Sequence, residues 1–218
     1  MLGRGPDDCG MSPLPVQSGY DAWAASYDTV DNPTRDLAAA DLRRQPFRLD
    51  SAAALELGCG TGLNTEWLVQ GGAEVTGFEF CEGMLAKARA RLPAARLLRH
   101  DITRPFPLPD ASFDLVVETL VLEHIGELTP VFRETARVLR PGGLFHLAEY
   151  HPYRQLAGKQ ARFSDGDGQE QLVEAYLHNV PEYLNAALAA GLRLVRAGEP
   201  GDETPPRLLT LTFSREAG

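Results

Sequence analysis

Cysteine, excess positive charge and long apolar runs are all scarce in this chain. Its three cysteines, Cys9, Cys59 and Cys81, stand at no spacing that suits a metal site or a disulfide framework. A reducing, cytoplasmic setting is the simplest expectation. Lys and Arg number 21 against 30 Asp and Glu, a formal net charge of −9. That balance counts against a nucleic-acid partner, because clustered Lys and Arg drive binding to phosphate backbones. No apolar run reaches the length of a membrane helix, and the start MLGRGPDDCG lacks the apolar centre of a signal peptide. No membrane insertion is therefore expected. The glycine-rich stretch LELGCGTG lacks the Gly-Lys-Ser/Thr that a P-loop requires. Internal repeats are absent too.

What is present is an ordinary globular composition, 44% hydrophobic and 23% charged over 218 residues, enough for one well-buried domain. Residues 1–17 have little periodicity and read as a flexible tail. Residues 18–48 read as an N-terminal helical cap, in which Asn32 caps a helix that opens with Pro33 and ends before Pro46. From residue 49 to 218 strands alternate with helices. AAALELG is a strand, TGLNTEWLVQGG a helix stopped by glycines, and AEVTGFEF a second strand. The next helix places Met84, Leu85, Ala88 and Leu92 on one face. ARLLRHD and FDLVVETL follow as strands, with a proline-rich loop between them. Thr129 caps and Pro130 opens a helix whose buried stripe is Val131, Phe132, Thr135, Val138 and Leu139, and RPGG closes it before LFHLAEY. A helix from Pro181 to Ala190 and the strands LRLVRAG and RLLTLTF complete the pattern. The order predicts an α/β fold: a Rossmann-like, doubly wound, seven-stranded and mostly parallel sheet with helices on both faces.

Ligands of such sheets bind outside the carboxyl ends of the strands. At the first strand end stand Gly58, Gly60 and Gly62; Leu63 occupies the place of the third glycine of a dinucleotide fingerprint, which disfavours a nicotinamide oxidoreductase. Glu79 ends the second strand 17 residues past Gly62, where a carboxylate can accept from both hydroxyls of a ribose. Asp101 ends the third, where it can accept from an exocyclic amine such as that of adenine. Each acid alone is better read as a solvated strand end or a helix cap. A glycine turn and two acids at three successive strand ends form a more specific set.

LELGCGTG, VTGFEFCEGMLAKAR, HDITRPFPLPDASFDLVV and ETARVLRPGG resemble the successive motifs of class I S-adenosylmethionine-dependent methyltransferases. The similarity is greatest to the small-molecule, quinone-biosynthesis-like (type 11) branch, over residues 20–150. The resemblance implies that Glu56 and the backbone of Gly58, Cys59 and Gly60 border the methionine part of S-adenosylmethionine. It further implies that Glu79 holds the ribose, that Phe80 and Met84 flank the adenine, and that Asp101 and the Ile102 backbone read its edge. The backbone near Glu118 would receive the methionine ammonium. The family usually has Asp where this chain has Glu79, and Ser where it has Cys81; Glu keeps the charge and extends the reach. YDAWAASYD resembles a preamble that closes over the cofactor, with Tyr27 beside the sulfonium. An amphipathic helix whose aromatics Tyr20, Trp23 and Tyr27 pack on the domain would bury the same side chains.

Methyl transfer from a sulfonium needs a positioned nucleophile and exclusion of water, and a base only where the acceptor must shed a proton. His124 in LVLEHI and His151 in EYHPY stand at strand ends and are the candidate bases. Among Val121, Leu122 and Ile125, His124 also reads as a packing residue, whereas His151 stands between tyrosines at a rim. Residues 151–180 form a long insertion, expected to build a lid and an acceptor pocket. The expected partner is a small-molecule acceptor, the expected assembly a monomer or homodimer, and no metal is implied. The competing reading is a scaffold or regulatory protein that binds S-adenosylmethionine without transfer. Acidity and the absence of an NPPY-type motif count against DNA amino-methylation.

Overall fold

The computed structural model describes residues 12–165, 167–201 and 204–216. Its elements are α1 (Val16–Trp23), α2 (Pro33–Arg44), β1 (Ala53–Leu57), α3 (Leu63–Gln70), β2 (Glu74–Glu79), α4 (Glu82–Arg91), β3 (Arg96–Arg99) and β4 (Phe113–Thr119). A 3-10 turn at Leu122–His124 leads to α5 (Leu128–Val138), β5 (Leu139–Tyr150), α6 (Pro152–Leu156), β6 (Arg162–Ser164), β7 (Glu170–Leu172), α7 (Val180–Ala189), β8 (Leu192–Gly198) and β9 (Leu208–Arg215). Seven strands form one sheet in the order β3-β2-β1-β4-β5-β9-β8, parallel except that β9 runs antiparallel to both neighbours. The order reverses between β1 and β4, so the switch point falls beside the glycine turn.

The two-residue period of the strands assigns each side chain to a layer. Leu55, Leu57, Val116, Phe145 and Leu147 enter a core with Phe132 of α5 and Tyr183 of α7. Ala54, Val75, Leu115 and Val117 point the other way, onto Leu42 of α2 and Leu68 of α3. Burial on both faces explains why the central strands read as nearly unbroken apolar runs.

Asn32 accepts the Arg35 N–H and caps α2, with Pro33 at its first position, as the sequence predicts. Three boundaries differ. Helix α5 starts one residue before the predicted cap Thr129, with Glu127 at the cap position. The RPGG segment lies inside the span of β5, because Leu139 already pairs with Phe113 before the register shifts. The predicted 1–17 tail also overlaps ordered structure: Leu14 bridges Val173, and α1 begins at Val16. Residues 1–11 lie outside the described residues. The insertion at 151–180 carries α6 and the β6–β7 hairpin, and Phe163 of β6 stacks on Trp23 of α1 with ring centroids 5.2 Å apart.

Polar contacts hold the segment around α1 over the strand ends. Asp21 accepts the Gly83 N–H at 2.8 Å in the first turn of α4. Asp28 accepts from the Thr61 hydroxyl at 2.6 Å and from Arg91 Nη2 at 2.8 Å, while Arg91 Nε donates to the Thr61 carbonyl. One carboxylate thus ties the cap to the glycine turn and to α4 together. Replacing Asp28 by Ala is expected to cost about 1–2 kcal/mol in urea unfolding. Amide exchange across residues 16–30 should accelerate more than in the sheet; unchanged exchange there would show that the latch does not hold the cap.

Candidate active site

The chain leaves β1 through a turn in the left-handed region that favours glycine. Gly58, Gly60 and Gly62 have φ of 71°, 54° and 87°. A Cβ on Gly58 would stand 2.3 Å from Val121 Cγ2, whereas one on Gly60 would meet nothing within 4 Å. The first glycine lets the β4 loop approach, and the second leaves a bare backbone facing open space. Glu79 fixes that arrangement. Its Oε2 accepts the Gly60 N–H at 2.9 Å and its Oε1 the Cys81 N–H at 2.8 Å. Burial raises its carboxyl above the usual range, and the backbone donors pull the other way.

Three cavities open at the carboxyl ends of the strands. One, of about 230 Å³, is lined by Gly58, Gly60, Glu79, Phe80, Met84, Asp101, Ile102, Tyr27 and His124. A second, of about 290 Å³, is lined by Glu56, Gly58, Cys59, Gly60 and Tyr27, together with Arg35 and Arg43. The third, of about 430 Å³, lies between α1, the hairpin and the loop after β4, and is lined by Tyr20, Trp23, Tyr27, Glu123 and Phe163 among others. All three share Tyr27 and Leu120. Leu120, at φ 59°, lies in the left-handed region that favours glycine.

Most residues singled out in the sequence therefore converge. Asp101 also accepts from the Thr103 N–H at 2.9 Å and the Thr103 hydroxyl at 2.7 Å. Phe80 is 39% exposed and Met84 is buried below it. Cys59 packs beside Leu85, Ala88 and Leu97, and burial raises its thiol. Glu56 accepts from the Thr65 hydroxyl, and burial pushes its carboxyl up to about 8, with the Glu79 charge adding to the rise.

Two residues stand elsewhere. Glu118 is fully buried on the α5–α7 face of the sheet, accepts the Val121 N–H at 2.7 Å, and lines none of the three cavities; its successors Thr119 and Leu120 do. His151 is the cap of α6: Nδ1 accepts the Tyr153 N–H at 3.2 Å, so Nε2 carries the proton toward Glu199 Oε1, also at 3.2 Å. With the residue only 1% exposed and lining none of the three cavities, its expected acceptor-side position is corrected to a structural cap. Pro152 after a side-chain acceptor was the available clue.

His124 does reach the first cavity, but both ring nitrogens are engaged. Its Nδ1 lies 2.6 Å from the Glu174 carbonyl, which only accepts, so Nδ1 carries the proton and Nε2 accepts from the Tyr20 hydroxyl at 2.9 Å. Burial lowers its pKa and keeps the ring neutral. Sequence reading missed Arg35 and Arg43 of α2, and also Leu120 and Glu123, the last two because LVLEHI has the apolar rhythm of packing.

Residues 55–147 match the family model described as a methyltransferase domain. This stretch, from β1 into β5, is therefore similar to a methyltransferase domain. Malonyl-acyl carrier protein O-methyltransferase of Halorhodospira halophila is 34% identical over 158 residues, covering 69% of this chain and 53% of that protein. Demethylmenaquinone methyltransferase of Tropheryma whipplei is 30% identical over 148 residues, covering 65% and 62% respectively. The chain spans between 31% and 62% of the length of the curated relatives it matches. In fold it is similar to an S-adenosylmethionine-dependent methyltransferase from Mesorhizobium loti, with a TM-score of 0.69 and 24% identity, over 83% of this chain and 99% of that one.

The raised carboxyl of Glu56 makes stability pH-dependent. Between about 4.5, its ordinary value, and about 8, the folded state holds a proton that the unfolded state has released, so stability falls as pH rises through that window. Glu56→Gln keeps an acceptor for Thr65 and has no proton to lose. Its advantage over wild type in urea melts should be near zero at pH 4.5 and reach a few kcal/mol by pH 8. Parallel curves for the two proteins would refute the assignment.

Proposed function

We propose that this chain transfers a methyl group from S-adenosylmethionine to a small organic acceptor by in-line displacement. The observation that carries the reading is the meeting of three cavities at Tyr27 and Leu120, at the switch point of a methyltransferase-domain sheet. The first cavity suits a nucleoside. The Glu79 carboxylate uses one lone-pair site on each oxygen for backbone N–H groups and keeps others for two ribose hydroxyls. Asp101 is the acceptor for the adenine amine, beside Ile102, with Phe80 and Met84 as the apolar walls. The second cavity takes the amino-acid end against the Gly58–Gly60 backbone, where Gly60 leaves room that a Cβ would fill. S-adenosylmethionine, when bound, supplies an electrophilic methyl carbon on a sulfonium. Tyr27 and Leu120 would then flank the line of displacement, and the third cavity would hold the acceptor.

The chain's own contribution is placement and dryness. The cap closes over the strand ends and the hairpin closes the acceptor side, so residues 151–180 act as the lid. A small-molecule acceptor is in keeping with the demethylmenaquinone methyltransferase among the relatives, and the formal charge of −9 does not favour nucleic acid. No helix among the described residues is long and apolar enough to cross a membrane; we place the protein in the cytoplasm, as a monomer or homodimer.

Calorimetry tests this reading. S-adenosylmethionine and S-adenosylhomocysteine should bind, and NAD should not. Glu79→Ala would also release the Gly60 and Cys81 anchors, so Glu79→Gln is the cleaner variant; it should weaken cofactor binding about tenfold or more. Asp101→Ala should lose more affinity than Asp101→Asn, and wild type should prefer the adenine cofactor over its inosine analogue. Equal binding of the two analogues would make Asp101 a structural carboxylate, and unchanged affinity in Glu79→Gln would remove the ribose assignment.

A further inference from the structure

The acceptor cavity holds a carboxyl group that the rest of the site leaves uncompensated. Glu123 lies in the 3-10 turn after β4, is only 4% exposed, and lines the third cavity. Its backbone is fully engaged, with the N–H donating to Glu149 Oε2 at 2.9 Å and the carbonyl accepting from the Tyr176 N–H at 2.7 Å. Its carboxyl has one long side-chain contact, from Gln155 Nε2 at 3.4 Å, and no lysine or arginine pairs with it among the described residues. Two arginines also line the cavity: Arg162 pairs with Glu170 at 2.9 Å, and Arg207 donates to the Thr34 hydroxyl at 3.2 Å.

Aromatic rings complete the enclosure. Tyr20 stacks on Trp23 at 5.6 Å, Tyr27 and Trp23 meet edge to face at 5.0 Å, and Phe163 stacks on Trp23 at 5.2 Å. Aromatic faces attract a cation, and a buried carboxylate needs one. Resting on the methyltransferase reading above, we propose that the acceptor is an amine, and that Glu123 binds its ammonium and takes the proton its nitrogen sheds.

The bound ammonium first passes one proton to the ionised Glu123 carboxylate. The lone pair so freed forms the new bond to the methyl carbon while the carbon–sulfur bonding pair stays on sulfur, leaving a methylated ammonium, a neutral thioether and a protonated Glu123. Burial, reinforced by the neighbouring Glu149 charge, holds the Glu123 carboxyl at about 8. Against an alkylammonium of about 10.4, proton transfer to such a carboxyl is disfavoured by roughly two decades, rather than the roughly six that an ordinary glutamate would impose. A carboxylate placed beside Glu123 would meet its oxygens and the ring faces, and would have to reach away from it for the cavity's arginines, Arg162 and Arg207.

The test uses benzylamine, benzyl alcohol and benzoate, isosteric probes of positive, neutral and negative charge. Each is titrated calorimetrically into the full chain, with and without saturating S-adenosylhomocysteine. Benzylamine should bind at least tenfold more tightly than benzyl alcohol, with benzoate weakest. Glu123→Gln should remove that advantage, a loss of about ten- to a hundredfold for the amine alone, while homocysteine-cofactor binding stays unchanged. Phe163→Leu, which keeps the carboxyl and removes one ring, should weaken the amine about threefold more than the alcohol. Equal binding of amine and alcohol to wild type, no binding of the amine, or an unaltered amine affinity in Glu123→Gln would overturn the proposal. If S-adenosylhomocysteine itself fails to bind, the methyltransferase reading falls, and the titration without it still reports on the amine site.

Discussion

The carboxylate of Glu149 is the constraint on which the site depends. At the end of β5 it accepts three successive backbone N–H groups: Val121 at 2.9 Å and Leu122 at 2.8 Å on Oε1, and Glu123 at 2.9 Å on Oε2. These donors belong to a turn that no helix or sheet ladder satisfies, and buried orphan donors are costly. Gathered on one carboxylate, they fix the loop after β4 in a conformation that sends Leu120 to φ 59° and packs Val121 against Gly58. That loop supplies a wall to all three cavities.

Two adjacent carboxyls, buried together, share one proton. Glu118 stands beside Glu149 on the same face of the sheet, and desolvation and the neighbouring charge raise its pKa well above the ordinary range. Glu149 has three backbone donors and Glu118 one, so the negative charge settles on Glu149 and the proton on Glu118. The other Glu118 oxygen, Oε2, is buried with no hydrogen-bond partner, as a protonated oxygen tolerates better than a charged one. Position 118 thus supports the loop through the Val121 N–H from inside the sheet, while Thr119 and Leu120 line the cavities.

The parts of this arrangement legible in sequence were those with local rules. Gly58, Gly60, Glu79 and Asp101 follow from strand ends, and the strand ends follow from apolar runs bounded by turn residues. Asn32 with Pro33 states a helix start within two residues, and the structure keeps it. The Glu118–Glu149 pair has no local rule, since the two are 31 positions apart and meet only through the β4–β5 register. His151 misled for a related reason: its rim position was readable, but whether its ring faces the cavity or caps α6 depends on β9 and Glu199 arriving from the far end of the chain. Glu123 was hidden by its apolar neighbours Val121, Leu122 and Ile125, although the 3-10 turn breaks the helical period that made it look like packing.

The same physics links stability to ligand charge. Glu56, Glu79 and Glu123 lie around the junction of the cavities, each with its carboxyl raised by burial. None of the three is paired with a lysine or arginine among the described residues; their partners are hydroxyl, amide and backbone donors. A buried acid in that condition costs the fold either a bound proton or a desolvated charge. A cationic ligand offsets the cost by supplying the charge that the chain withholds, so binding stabilises the folded state beyond the contacts it makes. An anionic ligand deepens it. The unmatched acids therefore favour positive charge beside them. Arg35 and Arg43 in the second cavity and Arg162 and Arg207 in the third leave places for negative charge, and the glycine turn, the Tyr27 ring and the Leu120 backbone set the junction's shape.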